Sequence, residues 1–140
     1  MAKKIERKDS GKSGIIYLAC PYSKGSPETR LARFNAVTLV AAHLIEARRI
    51  VFSPITMTHP IDLVLSPEGA TLGSAFWTDF DEQFMQACVE IYVLMLPGWK
   101  ESSGVIREIA YFQQRGIQPI YLNPAEYGVV PDLAQFATAF

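Results

Sequence analysis

The sequence predicts one α/β domain over residues 13–140, with a doubly wound parallel sheet of four to five strands in a three-layer α/β/α arrangement. Short apolar runs, as long as buried strands, alternate along the chain with longer segments of helical periodicity. The length of 140 residues fits a single domain that can bury an adequate core without disulfides. No repeat is visible at a period of 20–50 residues, which excludes a solenoid.

The first half of the chain contains two predicted strands and one long helix. Residues 14–20 form an apolar run bounded by glycine and proline, typical of a strand buried on both faces. Ser26 is a suitable N-cap for a helix that should extend to about Arg48. Residues 50–52 are a second buried strand. Residues 55–73, interrupted by prolines and glycines, are expected to be irregular, as functional loops of that length often are.

The second half continues the alternation. Residues 74–88 show helical spacing of aromatic side chains, and residues 91–96 are the strongest strand signal in the chain. A third helix should end near Arg115, where a glycine follows. Residues 119–122 are a last strand, and a short helix is expected from Asp132 onward. The order is that of successive βαβ units, which produce a parallel sheet.

The charge distribution argues against nucleic acid as a partner. Five basic and two acidic side chains fall in residues 1–12, which are predicted to be a disordered basic tail. The remaining residues carry eight basic and twelve acidic side chains, a net charge of −4. A mildly acidic body does not provide the basic surface that polymeric nucleic acid requires.

The cysteines and histidines argue against a disulfide-stabilised protein and against a metal-binding one. Cys20 and Cys88 lie in apolar stretches, which predicts reduced core thiols and a cytoplasmic location. The two cysteines together with His43 and His59 do not have the spacing of metal ligands, so neither a metal site nor any other cofactor is expected. No apolar run is long enough to span a membrane, and no membrane is expected among the partners of this protein.

The chemistry should lie beyond the carboxyl ends of the strands, where ligands bind in open α/β sheets. Ser102, Ser103 and Gly104 there place hydroxyl and backbone N–H groups at a helix N-terminus, which is suited to an anion. Glu108 follows one turn later and can face the same crevice. The alternative is that Ser102 only caps the helix and that Glu108 is a solvated residue.

Two carboxylates occur on the aromatic helix before the third strand. Asp81 lies close to Trp77 and Phe80, and partial burial among aromatic rings would raise its pKa, as a general acid requires. The alternative is that one of Asp79 and Asp81 caps the start of the helix and the other faces water, an interpretation we favour for Asp79.

Further candidate substrate-binding residues come from the same loops and first turns. Arg30 and Arg33 could reach a phosphate or be solvated stems. His59 lies in a proline-rich loop and is expected to act at the surface rather than in the core. The complete set of candidate binding residues is Tyr22, Arg30, Arg33, Ser53, His59, Trp77, Ser102, Ser103 and Gly104.

These residues form a pattern that resembles the nucleoside 2-deoxyribosyltransferase superfamily over residues 14–124. The resemblance rests on residues 17–23, on Asp81 before a strand, and on the sequence Ser102-x-Gly104-x-x-x-Glu108. The residues around 53–55, 59–60 and 96–105 are most similar to a bacterial and phage branch catalogued as a domain of unknown function.

The resemblance implies a flavodoxin-like fold and a two-carboxylate attack on an N-glycosidic bond. Glu108 matches the nucleophile that attacks the anomeric carbon, Asp81 the residue that protonates the departing base, and Tyr17 a tyrosine beside the attacking carboxylate. Cys20 replaces a glycine common in the transferases, which implies a differently shaped sugar pocket. Relatives that complete their sites across subunits imply at least a dimer, and Tyr111, Phe112, Phe136 and Phe140 are the aromatic residues expected to be surface-exposed.

The expected substrate is a nucleoside 5′-monophosphate. The transferases carry an aspartate at the position of Ser102, where it binds a free 5′-hydroxyl, whereas a serine at a helix N-terminus can donate to a phosphate. Arg30, Arg33 or Lys24 would then supply the balancing cation. Hydrolysis and base exchange both remain open, as does the identity of the base. The alternatives are a nucleotide-binding or sensing module without turnover and a flavin-binding electron carrier.

Overall fold

A computed structural model of the chain describes residues 13–130 and 133–136. Its strands are β1 (Ile15–Ala19), β2 (Ile50–Phe52), β3 (Cys88–Leu94) and β4 (Ile120–Leu122), and its helices are α1 (Pro27–Glu46), α2 (Pro54–Leu65), α3 (Gly73–Ala87) and α4 (Ser103–Gln114). The predicted tail over residues 1–12 lies outside the described residues. None of the helices in the described part of the chain combines the length and apolar character that a membrane crossing requires.

The four strands form one parallel sheet in the order β2-β1-β3-β4. This is the flavodoxin-like order, in which successive strands are added first on one side of β1 and then on the other. The order places the reversal point between β1 and β3. The fold class predicted from the sequence is confirmed, with four strands.

Alternate residues of β1 face the two outer layers, which gives the sheet a core on each side. Ile16 and Leu18 pack with α1 on one face. Tyr17 and Ala19 pack with residues of α3 and α4 on the other. The side chain of Tyr17 is therefore directed to the layer that carries both predicted carboxylates.

The stretch predicted to be irregular, residues 55–73, contains helix α2. Pro54 occupies its first turn, and Pro60 lies inside it, where it removes one backbone hydrogen bond. The helix persists because Thr58, His59 and Asp62 are buried along one side of it. Tertiary burial outweighs the unfavourable local propensity of the proline.

The C-terminal elements are short 3₁₀ turns, over Pro124–Tyr127 and Leu133–Phe136. The second is the described part of the helix expected from Asp132 onward. Phe136 packs against the core from this turn.

The expected aromatic surface is wrong for Phe112. Its ring is fully buried in the core between the sheet and α4, and Tyr111 is partly buried against the same core. Phe140 lies outside the described residues. Large exposed apolar side chains occur instead mainly on α2, where they are Met57, Ile61, Leu63, Val64 and Leu65.

Candidate active site

A narrow cavity of about 40 Å³ lies at the carboxyl ends of β1 and β3, beside the reversal of strand order. We call it the carboxylate cavity. It lies between the exit of β1, α2, α3 and the first turns of α4. Six of the predicted site residues line it, namely Tyr22, Trp77, Asp81, Ser102, Gly104 and Glu108.

A second cavity of about 120 Å³ adjoins the first, and we call it the side cavity. It is lined by residues 21–24, Arg33 and residues 98–103, and so includes the predicted Ser103. Tyr22, Ser23 and Ser102 line both cavities, so the two cavities are neighbours. A ligand too large for the carboxylate cavity would extend toward the side cavity. A larger cavity, of about 420 Å³, is lined by residues 95–101, 123–125, 129, 130 and 133 and contains none of the predicted carboxylates.

Glu108 is held by helix α4 and by the sheet beneath it. The Ser102 side chain caps α4 by accepting a hydrogen bond from the Val105 N–H, which sets the register of the helix. The Tyr17 hydroxyl donates to Glu108 Oε2 over 2.5 Å. Burial raises the pKa of Glu108 to about 8, and the charge of Asp81 adds to this rise, while the Tyr17 hydrogen bond and Arg107 oppose it.

Asp81 reaches the same cavity from α3. Burial raises its pKa to about 6, against the opposing effect of Arg107. Its Oδ1 atom is buried and has no hydrogen-bond partner among the described residues. Asp79, two residues earlier, is exposed to solvent, as the sequence favoured. The Glu108 side chain is thus buried and that of Asp81 partly buried, and the pKa of each carboxyl is raised.

Arg107 also lines the carboxylate cavity, although the sequence did not single it out. It precedes Glu108 on α4 and lies within electrostatic range of both carboxylates. Its guanidinium makes no hydrogen bond or ion pair with another described residue. A single arginine on an amphipathic helix has no distinctive sequence signal, and only the packing of α3 against α4 reveals its position.

His59 is buried, contrary to the expectation of a surface role. Its ring stacks on Phe34 with ring centroids 4.4 Å apart, and its Nδ1 atom lies 2.5 Å from the Tyr22 hydroxyl. Burial lowers the pKa of His59, and the imidazole shares one hydrogen bond with the Tyr22 hydroxyl, whose direction follows the ring tautomer. His59 therefore orients Tyr22, which faces the cavity, and does not line the cavity itself.

Asp62 performs the same kind of positioning for Trp77. It is fully buried, and its Oδ1 atom accepts hydrogen bonds from the Trp77 indole N–H over 3.1 Å and the Leu72 N–H over 3.0 Å. These bonds connect α2 to the start of α3. Asp62 has no distinctive signal in the sequence, because it lies in the stretch predicted to be irregular.

Arg30 and Ser53 line neither of the two adjoining cavities. The Arg30 guanidinium donates to the carbonyl oxygens of Gly25 and Gly69, which makes it a loop-bracing residue. The Ser53 hydroxyl is bonded to that of Thr56. Arg33 donates to the carbonyl oxygens of residues 22 and 24, but it also lines the side cavity, where its Nε atom has no partner among the described residues.

The fold and the site define a class: a flavodoxin-like α/β protein whose switch-point cavity is lined by a buried glutamate, hydrogen-bonded to a tyrosine, and by a partly buried aspartate. A protein-family model described as a domain of unknown function, DUF1937, matches residues 14–123, and the chain belongs to that family. A search of curated proteins found no match. Membership of this family specifies no reaction.

Proposed function

We propose that this protein cleaves the N-glycosidic bond of a nucleoside 5′-monophosphate through Glu108. The observation that carries the proposal is that Tyr17 donates to Glu108 in the cavity that Asp81 also lines. Two carboxylates and a hydrogen-bonded tyrosine are what attack at an anomeric carbon requires. The resemblance of residues 14–124 to the nucleoside 2-deoxyribosyltransferase superfamily supports the same roles.

The reaction would proceed in two displacements. The Glu108 carboxylate attacks the anomeric carbon, the carbon–nitrogen bond breaks, and the base departs with a proton from Asp81. This leaves a glycosyl ester on Glu108 and a carboxylate on Asp81. Water then gives its proton to Asp81 and attacks the anomeric carbon, which releases the sugar phosphate and restores both residues. A second base in place of water would produce exchange instead of hydrolysis.

The pKa values constrain which protonation state reacts. Glu108 has a pKa of about 8 and Asp81 of about 6, so the pair holds one proton between these two pH values, mostly on Glu108. Attack requires that proton to be on Asp81. That form is the minor one of the singly protonated pair. The Tyr17 hydrogen bond increases this fraction because it stabilises the Glu108 carboxylate.

The side cavity supports a 5′-phosphate as part of the substrate. Ser102 and Ser103 lie there at the N-terminus of α4, and Arg33 and Lys24 line the same cavity. A phosphate would receive donors from the hydroxyls, the helix N-terminus and these two cations. Glu101 also lines this cavity and is the one charge that opposes an anion.

The test is base release from matched nucleosides and their 5′-monophosphates, measured by chromatography. We expect release from at least one monophosphate, and none from the Glu108→Gln variant, whose side chain has nearly the same shape. A Glu108→Gln variant that keeps a tenth of the wild-type rate would exclude Glu108 as the nucleophile. Saturable nucleotide binding without release by the wild type would favour the alternative, a nucleotide-binding or sensing module.

A further inference from the structure

The Arg107 side chain lines the carboxylate cavity, and its guanidinium makes no hydrogen bond or ion pair with the residues that the structure describes. The other two arginines near the site brace loops by donating to backbone carbonyl oxygens, from Arg30 to residues 25 and 69 and from Arg33 to residues 22 and 24. Arg107 has no such partner in residues 13–130 or 133–136. Its donors are therefore available to a ligand.

The position of Arg107 relative to the two cavities indicates which part of a ligand it meets. The side cavity, with Lys24 and Arg33, does not include Arg107. Arg107 lies instead with Asp81, on the facing surfaces of α4 and α3, and its charge lowers the pKa of that carboxylate. If Asp81 protonates the departing base, Arg107 lies at the base end of the site and not at the phosphate end.

We propose that Arg107 selects nucleotides whose base has a carbonyl oxygen at purine C6 or pyrimidine C4, as hypoxanthine, guanine, uracil and thymine have. This inference rests on the proposed function. A guanidinium has only donors, so it pairs with a carbonyl oxygen and leaves an exocyclic amino group in the same place without an acceptor. As the glycosidic bond breaks, negative charge spreads from the ring nitrogen onto that oxygen. Arg107 then stabilises the leaving group as well as recognising it.

The experiment compares pairs of nucleotides in which one base has an exocyclic oxo group and the other an amino group. The pairs are inosine and adenosine 5′-monophosphate, and uridine and cytidine 5′-monophosphate, each as ribo- and deoxyribonucleotide. Base release gives kcat/KM for the wild type and for Arg107→Gln. Titration calorimetry gives Kd for the same nucleotides with Glu108→Gln, with and without Arg107→Gln. The control is Lys24→Gln, which removes an exposed cation from the side cavity.

We expect the wild type to prefer the oxo member of each pair by about 10- to 100-fold, the value of a hydrogen bond to a charged group. Arg107→Gln should reduce that preference to within about threefold. Lys24→Gln should weaken monophosphates relative to nucleosides and leave the oxo preference unchanged. Thermal unfolding of Arg107→Gln close to the wild-type temperature establishes that the variant is folded.

For nucleotides that release a base or bind, three results would overturn the inference. The first is an oxo preference that survives in Arg107→Gln, and the second is a wild type with no oxo preference. The third is a loss in Arg107→Gln that follows the phosphate and not the base, which would assign Arg107 to the phosphate. If no nucleotide releases its base, the proposed reaction fails, and the calorimetric preference alone decides the role of Arg107. Absence of both release and binding would overturn both proposals.

Discussion

The Tyr17 hydroxyl on β1 donates a 2.5 Å hydrogen bond to the Glu108 carboxyl on α4, across 91 residues of sequence. Both groups are buried, and the tyrosine ring packs between Phe52 and Phe112. Burial alone disfavours a charged glutamate, and a donor aimed at Oε2 favours it. The hydrogen bond therefore increases the population of the ionised Glu108 carboxylate and also fixes its position.

Tyr17→Phe tests this role. Loss of the donor should raise the pKa of Glu108 further, so that the alkaline limb of the kcat/KM profile moves to higher pH and the maximum falls by about 10- to 100-fold. The measurement is base release as a function of pH. Tyr111→Phe is the matched control, since that tyrosine lies on α4 and its ring packs against Phe112. An unchanged profile in Tyr17→Phe would reduce Tyr17 to a packing residue.

The acid role of Asp81 predicts the shape of the pH profile. For the wild type, kcat/KM should be bell-shaped, with limbs at about pH 6 and 8, where the carboxyl pair loses its first and second protons. Asp81→Asn, assayed with an electron-poor base that departs without protonation, should show only a rise with pH. Its midpoint should lie below 8 because the Asp81 charge no longer opposes ionisation of Glu108. An alkaline limb that persists in Asp81→Asn would contradict the acid assignment.

The raised pKa of Glu108 also predicts how stability depends on pH. Because its pKa rises from 4.5 to about 8 on folding, the stability linked to this proton is complete below pH 4.5 and lost as pH rises through 8. Glu108→Gln should therefore match the wild type at pH 4 and exceed it at pH 9 by about 1–4 kcal/mol. Thermal and urea unfolding at both pH values measure this, with Glu46→Gln on an exposed position as control. An equal difference at both pH values would show that ionisation is not the cause.

Ser102→Asp tests the phosphate assignment. An aspartate caps a helix as well as a serine does, so the fold should persist. Its charge should repel a 5′-phosphate and reduce the preference for the monophosphate over the nucleoside by about 5- to 150-fold. Competition between the two ligands gives the preference, and Ser26→Asp, at the exposed N-cap of α1, is the control. If nucleoside and monophosphate compete equally in the wild type, the phosphate assignment is wrong.

Assembly into at least a dimer stays a prediction, and the surface that we now assign to the interface is the exposed apolar face of α2. The exposed apolar side chains of α2, with Val64 at 82% exposure, replace the buried Phe112 as the surface to be covered. We expect at least a dimer by light scattering at micromolar concentration, and a smaller particle for Val64→Glu. A wild-type particle of 15.6 kDa would contradict this.

Site residues could be predicted where their interactions involve near neighbours in sequence, and not where they depend on distant parts of the chain. Ser102 was recognisable as an N-cap because capping depends on neighbours three residues away. Glu108 followed from its spacing to that cap and from family resemblance. Arg107 was missed because an arginine on a helix has the same local pattern whether it faces solvent or a cavity. His59 was misplaced because the prolines around it suggest a loop, while its burial depends on Phe34 and Tyr22.

The sequence by itself determined the layers of this protein, since apolar periodicity and turn residues act over a few neighbours and define strands, helices and their order. Tertiary structure alone decided that α2 is a helix, because burial of His59 and Asp62 offsets the cost of Pro60. It also decided which distant side chains meet. Tyr17 contacts Glu108 because α4 covers the face of the sheet to which Tyr17 points, and Arg107 lies within electrostatic range of Asp81 because α4 packs against α3. No local pattern encodes the proximity of elements so far apart in the chain.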